Sequence, residues 1–311
     1  MSVKKINIVT SLCGAGLERE AKLLRELLTP QGIATNFIHY CGGPNENMAE
    51  ADLTISLEVI CPQALYLSPI HFYAPNSEMY PSIYDQYLPR INKFLCKTND
   101  CFRIWANKVG ADRCVYTSFE ARDIYRPEIP REDIFLHVAG KSVYKGTESV
   151  IKAWQLHPGT LPPLTVVSDR PEYKALVDQN PSGITYFSYL KDEELIQLMN
   201  RARFHILPSQ YEGFGHGLWE AFGCGGLVFT TNAPPMNEYP GVFTSLPVSC
   251  QTSQRLAKLS SVAPQSIYDA VQVLGGTLYT LFEKKSAQAR ESFLANQKFF
   301  RETIMGLINA I

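Results

Sequence analysis

The sequence lacks the features that mark several large classes of protein. Lys and Arg total 29 against 30 Asp and Glu, so the formal net charge of −1 gives no bulk attraction to nucleic acid or to an anionic membrane. No run of about 18 apolar residues occurs, so no transmembrane segment is expected. The eight cysteines form no CxxC pair and do not cluster with histidine, which argues against a zinc site and a disulfide framework. We therefore predict a cytoplasmic protein with reduced thiols, no metal and no nucleic-acid partner.

The length and the order of apolar segments predict two α/β domains. A chain of 311 residues with 45% hydrophobic content is long enough for about two domains of ordinary size. Short apolar runs alternate with amphipathic segments, which is typical of βαβ units and parallel sheets. Residues 125–133 are rich in proline and charge and are interpreted as a linker. The predicted domains are residues 1–125 and 126–281, followed by a helical segment at 282–311.

Local predictions in the first half are less distinctive. Residues 51–60 and 63–67 are predicted to be strands, and residues 68–80 a polar and aromatic loop that follows them. A strand at residues 5–12 leads into a short glycine-containing turn with Gly14 and Gly16 at the start of a helix. The turn fails the dinucleotide-binding fingerprint, because Arg19 stands where a third glycine is needed.

The strongest motif runs from Pro208 to Gly223 and reads PSQYEGFGHGLWEAFG. It follows an apolar strand and opens a helix near His216, whose first N–H groups suit an anion such as a diphosphate. Two carboxylates, Glu212 and Glu220, accompany this anion site, and we interpret them as hydrogen-bond partners for hydroxyl groups. The backbone that would approach the ligand closely comprises Gly213, Phe214, Gly215, His216 and Gly217. The alternative is a glycine-rich turn with two solvated glutamates.

A second motif, AGKSVYKGT at residues 139–147, also joins a strand to a helix. It is not a Walker A loop, because Phe135 stands where that loop requires glycine. Lys141 and Lys145 instead offer two cations to a diphosphate and would stabilise charge on a leaving group. Ser142 lies between them and is a candidate for binding the same diphosphate-containing ligand. Two exposed lysines at a helix start remain the alternative.

Several further residues are weaker candidates. Tyr189 precedes a helix for which Asp192 is the predicted cap. In the polar loop, His71 could line the site, while a buried structural histidine is the alternative. Residues that could contact an acceptor are Asn76, Glu78 and Lys97, against ordinary turn chemistry for the first two.

Glu212 and Glu220 bracket seven residues, and with the flanking PSxYEGFG and the Lys145-Gly146 pair they resemble the E-x7-E signature of GT-B glycosyltransferases of family GT4. The resemblance covers residues 135–238 well and the first half in outline. It implies an α/β fold of the GT-B type, with two Rossmann-like, doubly wound domains facing a cleft. It also implies that the closing helical segment can cross back onto the first domain.

The same resemblance implies retaining transfer of a hexose from a nucleotide sugar, such as a UDP- or GDP-hexose, to a glycan or other hydroxyl acceptor. It places Glu220 on the ribose, Glu212 beside the donor sugar and residues 213–217 on the sugar diphosphate. It also places the turn with Gly14 and Gly16 near the donor phosphates and the acceptor, and the loop around Tyr189 near the nucleobase. No cofactor or metal is implied, and the sequence contains no Asp-x-Asp motif. The chain departs from the family at His216-Gly217, where an apolar residue and proline are common.

Two alternatives stay open at this point. One is an inverting transferase on the same fold, with His71 or Glu78 as the base. The other is a protein that binds a nucleotide sugar without turning it over.

Overall fold

A computed structural model describes residues 3–11, 15–41, 48–273 and 277–311. The chain divides into two compact units. The first unit comprises Met1–Ala121, Gln254–Ala257 and Asn296–Ile311, and the second comprises Arg122–Ser253 and Lys258–Ala295. None of the helices in the described ranges is both long and apolar enough to span a bilayer.

The first unit is built on a parallel sheet of six strands. Its strands are β1 (Lys5–Thr10), β2 (Ala34–His39), β3 (Leu53–Leu57), β4 (Ile70–Ala74), β5 (Lys93–Cys96) and β6 (Cys114–Tyr116). Their order across the sheet is β2-β1-β3-β4-β5-β6. Two helices accompany them, α1 (Ala15–Leu28) and α2 (Asn99–Val109).

Aromatic packing fixes α2 against this sheet. The Trp105 ring stacks on Phe94 of β5 with centroids 5.2 Å apart and meets Tyr80 edge-on at 4.8 Å. The helix begins where the Thr98 side chain accepts a hydrogen bond from the Cys101 N–H at 3.0 Å, as an N-cap residue does. Such edge-to-face and stacked pairs add directional preference to the burial of apolar area.

The second unit is built on another parallel sheet of six strands. Its strands are β7 (Glu132–Gly140), β8 (Leu164–Ser168), β9 (Ile184–Phe187), β10 (Ala202–Leu207), β11 (Leu227–Thr231) and β12 (Val242–Leu246). Their order is β12-β11-β10-β7-β8-β9. A separate two-stranded ribbon pairs β13 (Val248–Gln254) with β14 (Ala257–Val262).

Helices connect and cover these strands. They are α3 (Thr147–Leu156), α4 (Pro171–Gln179), α5 (Asp192–Arg201), α6 (His216–Gly223), α7 (Pro264–Val273) and α8 (Thr277–Asn309). The core of this unit centres on Phe135, whose ring stacks on Phe204 with centroids 4.8 Å apart and meets Phe229 edge-on. All three rings are fully buried, which accounts for the apolar runs in β7, β10 and β11.

The far end of α8 packs within the first unit. The Phe300 ring contacts Phe119 at a centroid distance of 4.5 Å, and the Asn296 side-chain amide donates to the Phe119 carbonyl at 2.8 Å. The Gln297 side-chain oxygen Oε1 accepts from the Ala121 N–H at 3.0 Å. These bonds satisfy backbone groups that follow β6 and that would otherwise be buried without partners.

The α/β class and the two parallel sheets predicted from the sequence are confirmed. One local prediction is wrong: residues 63–67 are not a strand but a 3-10 helix at Gln63–Tyr66, while a strand occupies Ile70–Ala74 inside the predicted loop. The cause is Pro62, whose fixed φ of −58° suits a turn and whose carbonyl accepts from the Leu65 N–H. A short apolar run cannot by itself distinguish the two structures.

The strand orders locate where ligands are expected. In each sheet the winding reverses beside the unit's first strand, between β1 and β3 in the first unit and between β7 and β10 in the second. In open α/β sheets, ligands bind outside the carboxyl ends of the strands at such a reversal. The loops that follow β7 and β10 are therefore the first place to look in the second unit.

Candidate functional site

The loops that follow β7 and β10 carry the two strongest sequence motifs, and they contact each other directly. The Tyr144 carbonyl accepts a hydrogen bond from the Gln210 N–H at 2.7 Å. Gly146 has a φ of +68°, and a Cβ at this position would lie 2.4 Å from the Pro208 carbonyl oxygen. Only glycine permits this backbone conformation and this approach at once, so the Lys-Gly pair has a structural reason.

A buried histidine holds the same strands and helix together. His137 on β7 has Nδ1 at 2.7 Å from the Ile206 carbonyl and Nε2 at 2.9 Å from the Thr147 hydroxyl. Since a carbonyl only accepts, Nδ1 carries the hydrogen and Nε2 accepts from Thr147. Burial lowers the pKa of His137 to about 4, so the ring is neutral at pH 7 and serves as a structural link between β7, β10 and α3.

The predicted catalytic residues Lys145 and Glu212 meet at this reversal point. The Lys145 ammonium lies 2.5 Å from Glu212 Oε1, and the Ser209 hydroxyl donates to the same oxygen. Thr231 on β11 donates to the Ser209 carbonyl at 2.6 Å and so fixes the turn behind the carboxylate. The Lys145 side chain is 23% exposed against 10% for the Glu212 side chain, so the lysine is the more open member of the pair.

The turn that follows Glu212 leads directly into α6, which begins at His216. Gly215 caps the helix in the left-handed conformation with a φ of +82°, and its carbonyl accepts from Trp219. The Tyr239 hydroxyl donates to the Phe214 carbonyl at 2.7 Å, and the Phe214 ring stacks on Trp219. The loop is thus braced from both sides. Its helix terminus, formed by His216 and Gly217, gives the partial positive charge that favours an anion.

Glu220 lies within α6 and binds an arginine that sequence reasoning missed. Arg122 Nε donates to Glu220 Oε1 at 3.1 Å, and Arg122 Nη1 donates to the Asp192 carboxylate at 2.8 and 2.9 Å. Burial alone lowers the pKa of Arg122, but Glu220 and Asp192 outweigh that cost and raise it. Arg122 lies outside every sequence motif. Its position just before the predicted linker was the one feature of the sequence that could have drawn attention to it.

Asp192 does not cap its helix as predicted. The N-cap residue is Lys191, whose N–H donates to the Glu194 carboxylate at 2.8 Å, while Asp192 is the first helical residue and binds Arg122. The cap prediction is wrong because an N-cap residue precedes the first helical residue, whereas α5 already begins at Asp192.

Of the other donor-side candidates, Lys141 and Tyr189 are exposed and Ser142 is half-buried. The Lys141 side chain is 92% exposed, with its ammonium 3.9 Å from Asp169. That Lys141 and Lys145 together face a diphosphate stays a prediction. Ser142 accepts a hydrogen bond from the Tyr144 N–H at 3.2 Å and shapes the loop. Tyr189 is 75% exposed and presents its ring at the end of β9.

Candidates from the first unit fall in different places. Gly14 lies outside the described residues, and Gly16 is exposed in the first turn of α1. His71 was expected in a loop but is buried near the amino end of β4, where Ser68 lies 3.4 Å from its Nδ1. It is therefore at the opposite edge of the sheet from the expected site, and burial lowers its pKa.

Lys97 is also placed differently from expectation. Its side chain is fully buried, and its ammonium lies 2.8 and 3.1 Å from the two carboxylate oxygens of Glu20 on α1. A buried lysine needs such a partner, so the ammonium is committed to Glu20 rather than presented to an acceptor. Glu78 is buried too, and Asn76 donates to Glu58, a residue that no sequence motif singled out.

Comparison with known proteins identifies the second unit. Residues 122–241 match the family model described as glycosyl transferases group 1. This stretch, which contains Lys145, Glu212 and Glu220, is a group 1 glycosyltransferase domain, and the predicted resemblance is confirmed for it. Over 58 residues, 19% of this chain, the sequence is 41% identical to O-antigen chain mannosyltransferase B of Escherichia coli. That match spans 15% of the length of the mannosyltransferase.

Solved structures show that the fold extends over the whole chain. A glycosyltransferase from Rickettsia africae has a TM-score of 0.72 at 17% identity, covering 98% of this chain and 97% of its own. Anabaena HepE, solved with UDP and glucose, has a TM-score of 0.68 at 15% identity, covering 99% of this chain and 100% of its own. The fold is that of GT-B glycosyltransferases, as the sequence resemblance implied.

Proposed function

We propose that the protein is a retaining, metal-independent hexosyltransferase that takes a sugar from a nucleotide diphosphate donor and passes it to a hydroxyl acceptor. The observation that carries the proposal is the junction of Lys145, Glu212 and the α6 terminus at the reversal point of the second sheet. In this proposal the second unit binds the donor and the first unit binds the acceptor.

The charges suit a departing diphosphate. As the bond between the sugar C1 and the phosphate oxygen breaks, negative charge grows on that oxygen. Lys145 and the first N–H groups of α6 supply positive charge there without a metal ion. The acceptor oxygen bonds to C1 on the same face, and its proton passes to the diphosphate. A diphosphate beside Lys145 shares the ammonium with Glu212, which leaves the carboxylate able to accept from a donor-sugar hydroxyl.

The Arg122–Glu220 pair suits the nucleoside end of the donor. Glu220 is 4% exposed and keeps a carboxylate just over one helical turn from the start of α6 at His216. Arg122 orients that carboxylate through Nε, while Asp192 orients Arg122. A carboxylate held in this way can accept hydrogen bonds from two ribose hydroxyls. The exposed ring of Tyr189 lies on a neighbouring loop and is proposed to contact the base.

The test starts from donor binding. A thermal-shift panel of UDP-, GDP- and ADP-sugars ranks the donors, because a ligand that binds only the native state raises its melting temperature. The best donor is then used in a transfer assay with EDTA present, and NMR of the product reports the anomeric configuration. We expect retention of configuration and activity that EDTA does not abolish.

Variants connect the activity to the site. Lys145→Ala and Glu220→Ala should each abolish most transfer, while the matched surface variants Lys152→Ala and Glu148→Ala should not, since that exposed pair lies on α3. Full activity in both Lys145→Ala and Glu220→Ala, or a product of inverted configuration, would refute the proposal.

A further inference from the structure

The ribbon formed by β13 and β14 is too small to be stable by itself. An isolated two-stranded hairpin is marginally stable at best in water, because it buries little apolar surface. Strand β13 is largely exposed, whereas Ala257, Leu259 and Val262 of β14 are buried. Val262 belongs to the core of the second unit that centres on Phe135. The ribbon therefore depends on anchors, and Val262 supplies one of them at the end of β14.

The tip of the ribbon has an anchor of its own. Residues Gln254–Ala257 belong to the first unit, although the segments on both sides of them belong to the second. The half-buried Leu256 side chain packs against the core that contains Trp105, and its N–H donates to the Ser77 carbonyl at 3.3 Å. Arg255 precedes it with a φ of +54°, where glycine is usual in a two-residue hairpin turn. A residue with a side chain keeps this conformation when its surroundings fix the backbone, so the tip is held in place.

Between the two anchors, β14 binds residues 208–215, which form the E-x7-E loop. The Ser260 N–H donates to the Gln210 carbonyl at 2.9 Å, and the Gln210 N–H donates to the Tyr144 carbonyl at 2.7 Å. Gln210 is thus bonded to the ribbon on one side and, on the other, to the turn that carries Lys145. Ser260 is fully buried, and its hydroxyl accepts from the Gln251 side-chain amide of β13 at 2.9 Å. A shift of β14 is therefore passed to both loops of the candidate site.

We propose that the ribbon is a strap that positions the E-x7-E loop, and that Leu256 at its tip is a positioning residue for transfer. For its effect on transfer the inference rests on the proposed function, whereas the effect on the loop does not. Leu256 and Ser260 are four positions apart, about 13 Å along an extended strand, so Leu256 acts on the loop through the ribbon. When the tip is released, the ribbon keeps its Val262 anchor alone, and the bond from Ser260 to Gln210 opens more often. Segments with few buried contacts open locally at a lower free energy than the rest of a fold.

Hydrogen–deuterium exchange of the chain without donor tests the strap. In Leu256→Ala, the peptides that contain Gln210 and β14 should exchange about tenfold faster, because roughly half of the burial of three carbon groups is lost. Gln251→Ala removes the bond to the Ser260 hydroxyl and should raise the same exchange rates by a smaller factor.

Ile104→Ala is the matched control. Ile104 is half-buried on α2 and packs against the same core as Leu256, but it lies outside the ribbon. Its truncation should destabilise the first unit by a comparable amount and leave the exchange at Gln210 and in β14 at the wild-type rate. The strap is refuted if Leu256→Ala and Gln251→Ala both leave these rates unchanged, or if Ile104→Ala raises them as much as Leu256→Ala does.

The same variants are then assayed for transfer. The rate at saturating donor should fall by about tenfold to a hundredfold in Leu256→Ala, as expected when a positioned group is displaced by up to about 1 Å. It should stay near the wild-type value in Ile104→Ala. An unchanged rate in Leu256→Ala, with faster exchange of the loop, would overturn the positioning role. If the wild-type chain transfers no sugar, that result counts against the proposed function alone, and the exchange rates still decide whether the ribbon holds the loop.

Discussion

Replacing Gly146 with alanine should disrupt the candidate donor site without removing any functional side chain. The added Cβ would lie 2.4 Å from the Pro208 carbonyl oxygen, whereas real Cβ contacts essentially never fall below 3.0 Å. The loop of the E-x7-E motif must therefore retreat by about 0.6 Å or more. The left-handed backbone costs alanine about 1–2 kcal/mol, and the overpacking adds about 1–3 kcal/mol.

Two other glycines separate these costs. Gly159 and Gly183 have φ values of +79° and +76° in the same unit, and a Cβ at either would meet nothing within 4 Å. Gly159→Ala and Gly183→Ala should therefore lose only the backbone term, about 1–2 kcal/mol. Urea unfolding followed by tryptophan fluorescence measures the difference. Gly146→Ala should be less stable than both controls by about 1–3 kcal/mol.

The same three variants separate stability from function. A displacement of about 1 Å in a positioned group can cost about a hundredfold in rate, and Lys145 is the residue next to Gly146. We expect the transfer rate to fall by about that factor in Gly146→Ala and to stay near the wild-type value in the controls. If Gly146→Ala matched Gly183→Ala in both stability and rate, the close approach to Pro208 would have no role in shaping the site.

Three further predictions concern charged groups. In a steady-state assay, Lys145→Met should lower the transfer rate about 10²–10³-fold, as the loss of an oxyanion donor does. Adding Glu212→Gln to that variant should lower the rate by much less than a further factor of about 10². Arg122→Met leaves the Glu220 carboxylate without its cation and should lower the free energy of unfolding by about 3–5 kcal/mol, measured by urea unfolding. The double variant Arg122→Met/Glu220→Gln should regain part of that free energy, because the uncompensated charge is gone. Because burial raises the pKa of Glu58, its stabilising contribution is full below the unfolded value of 4.5 and is lost as pH rises through the folded pKa. Glu58→Gln should therefore gain stability relative to the wild type as the pH rises above 4.5, and a difference that stays constant with pH would contradict this.

The sequence predicted the second unit well because its signals are local. A helix that opens near His216 and a strand-to-helix junction at residues 139–147 were predicted, and the structure has them as α6 (His216–Gly223) and as the turn from β7 into α3 (Thr147–Leu156). Each of these helices is an apolar or amphipathic run bounded by glycine, proline or a charged turn. The positions of Lys145 and Glu212 followed for the same reason, since both lie in turns between a predicted strand and a predicted helix.

The residues that were missed depend on contacts distant in sequence. Arg122 binds Glu220 across 98 positions, and neither its neighbours nor its spacing indicate that pair. Glu58 was assigned to the interior of a strand at residues 51–60, because the run LTISLEVI stays apolar around it. The strand ends before Glu58 only because Tyr73 and Ala74 hold its backbone at positive φ. The partner of Lys97, Glu20, is likewise 77 positions away.

Pairing of charges explains how a chain of net charge −1 can present a site for an anionic donor. Lys145 is bound to Glu212 and Arg122 to Glu220, so each cation is already balanced by a carboxylate in a partly buried place. In the proposed donor complex, the diphosphate does not meet a bare positive surface but competes with Glu212 for the Lys145 ammonium. This competition weakens the binding of a nucleotide that carries no sugar, because the Glu212 carboxylate then loses part of its bond to Lys145 and gains no new donor. A nucleotide sugar supplies a hydroxyl that donates to the carboxylate instead. Selectivity for nucleotide sugars over free nucleotides is therefore expected to decrease when Glu212 is replaced by glutamine, which can be measured as the ratio of the two dissociation constants.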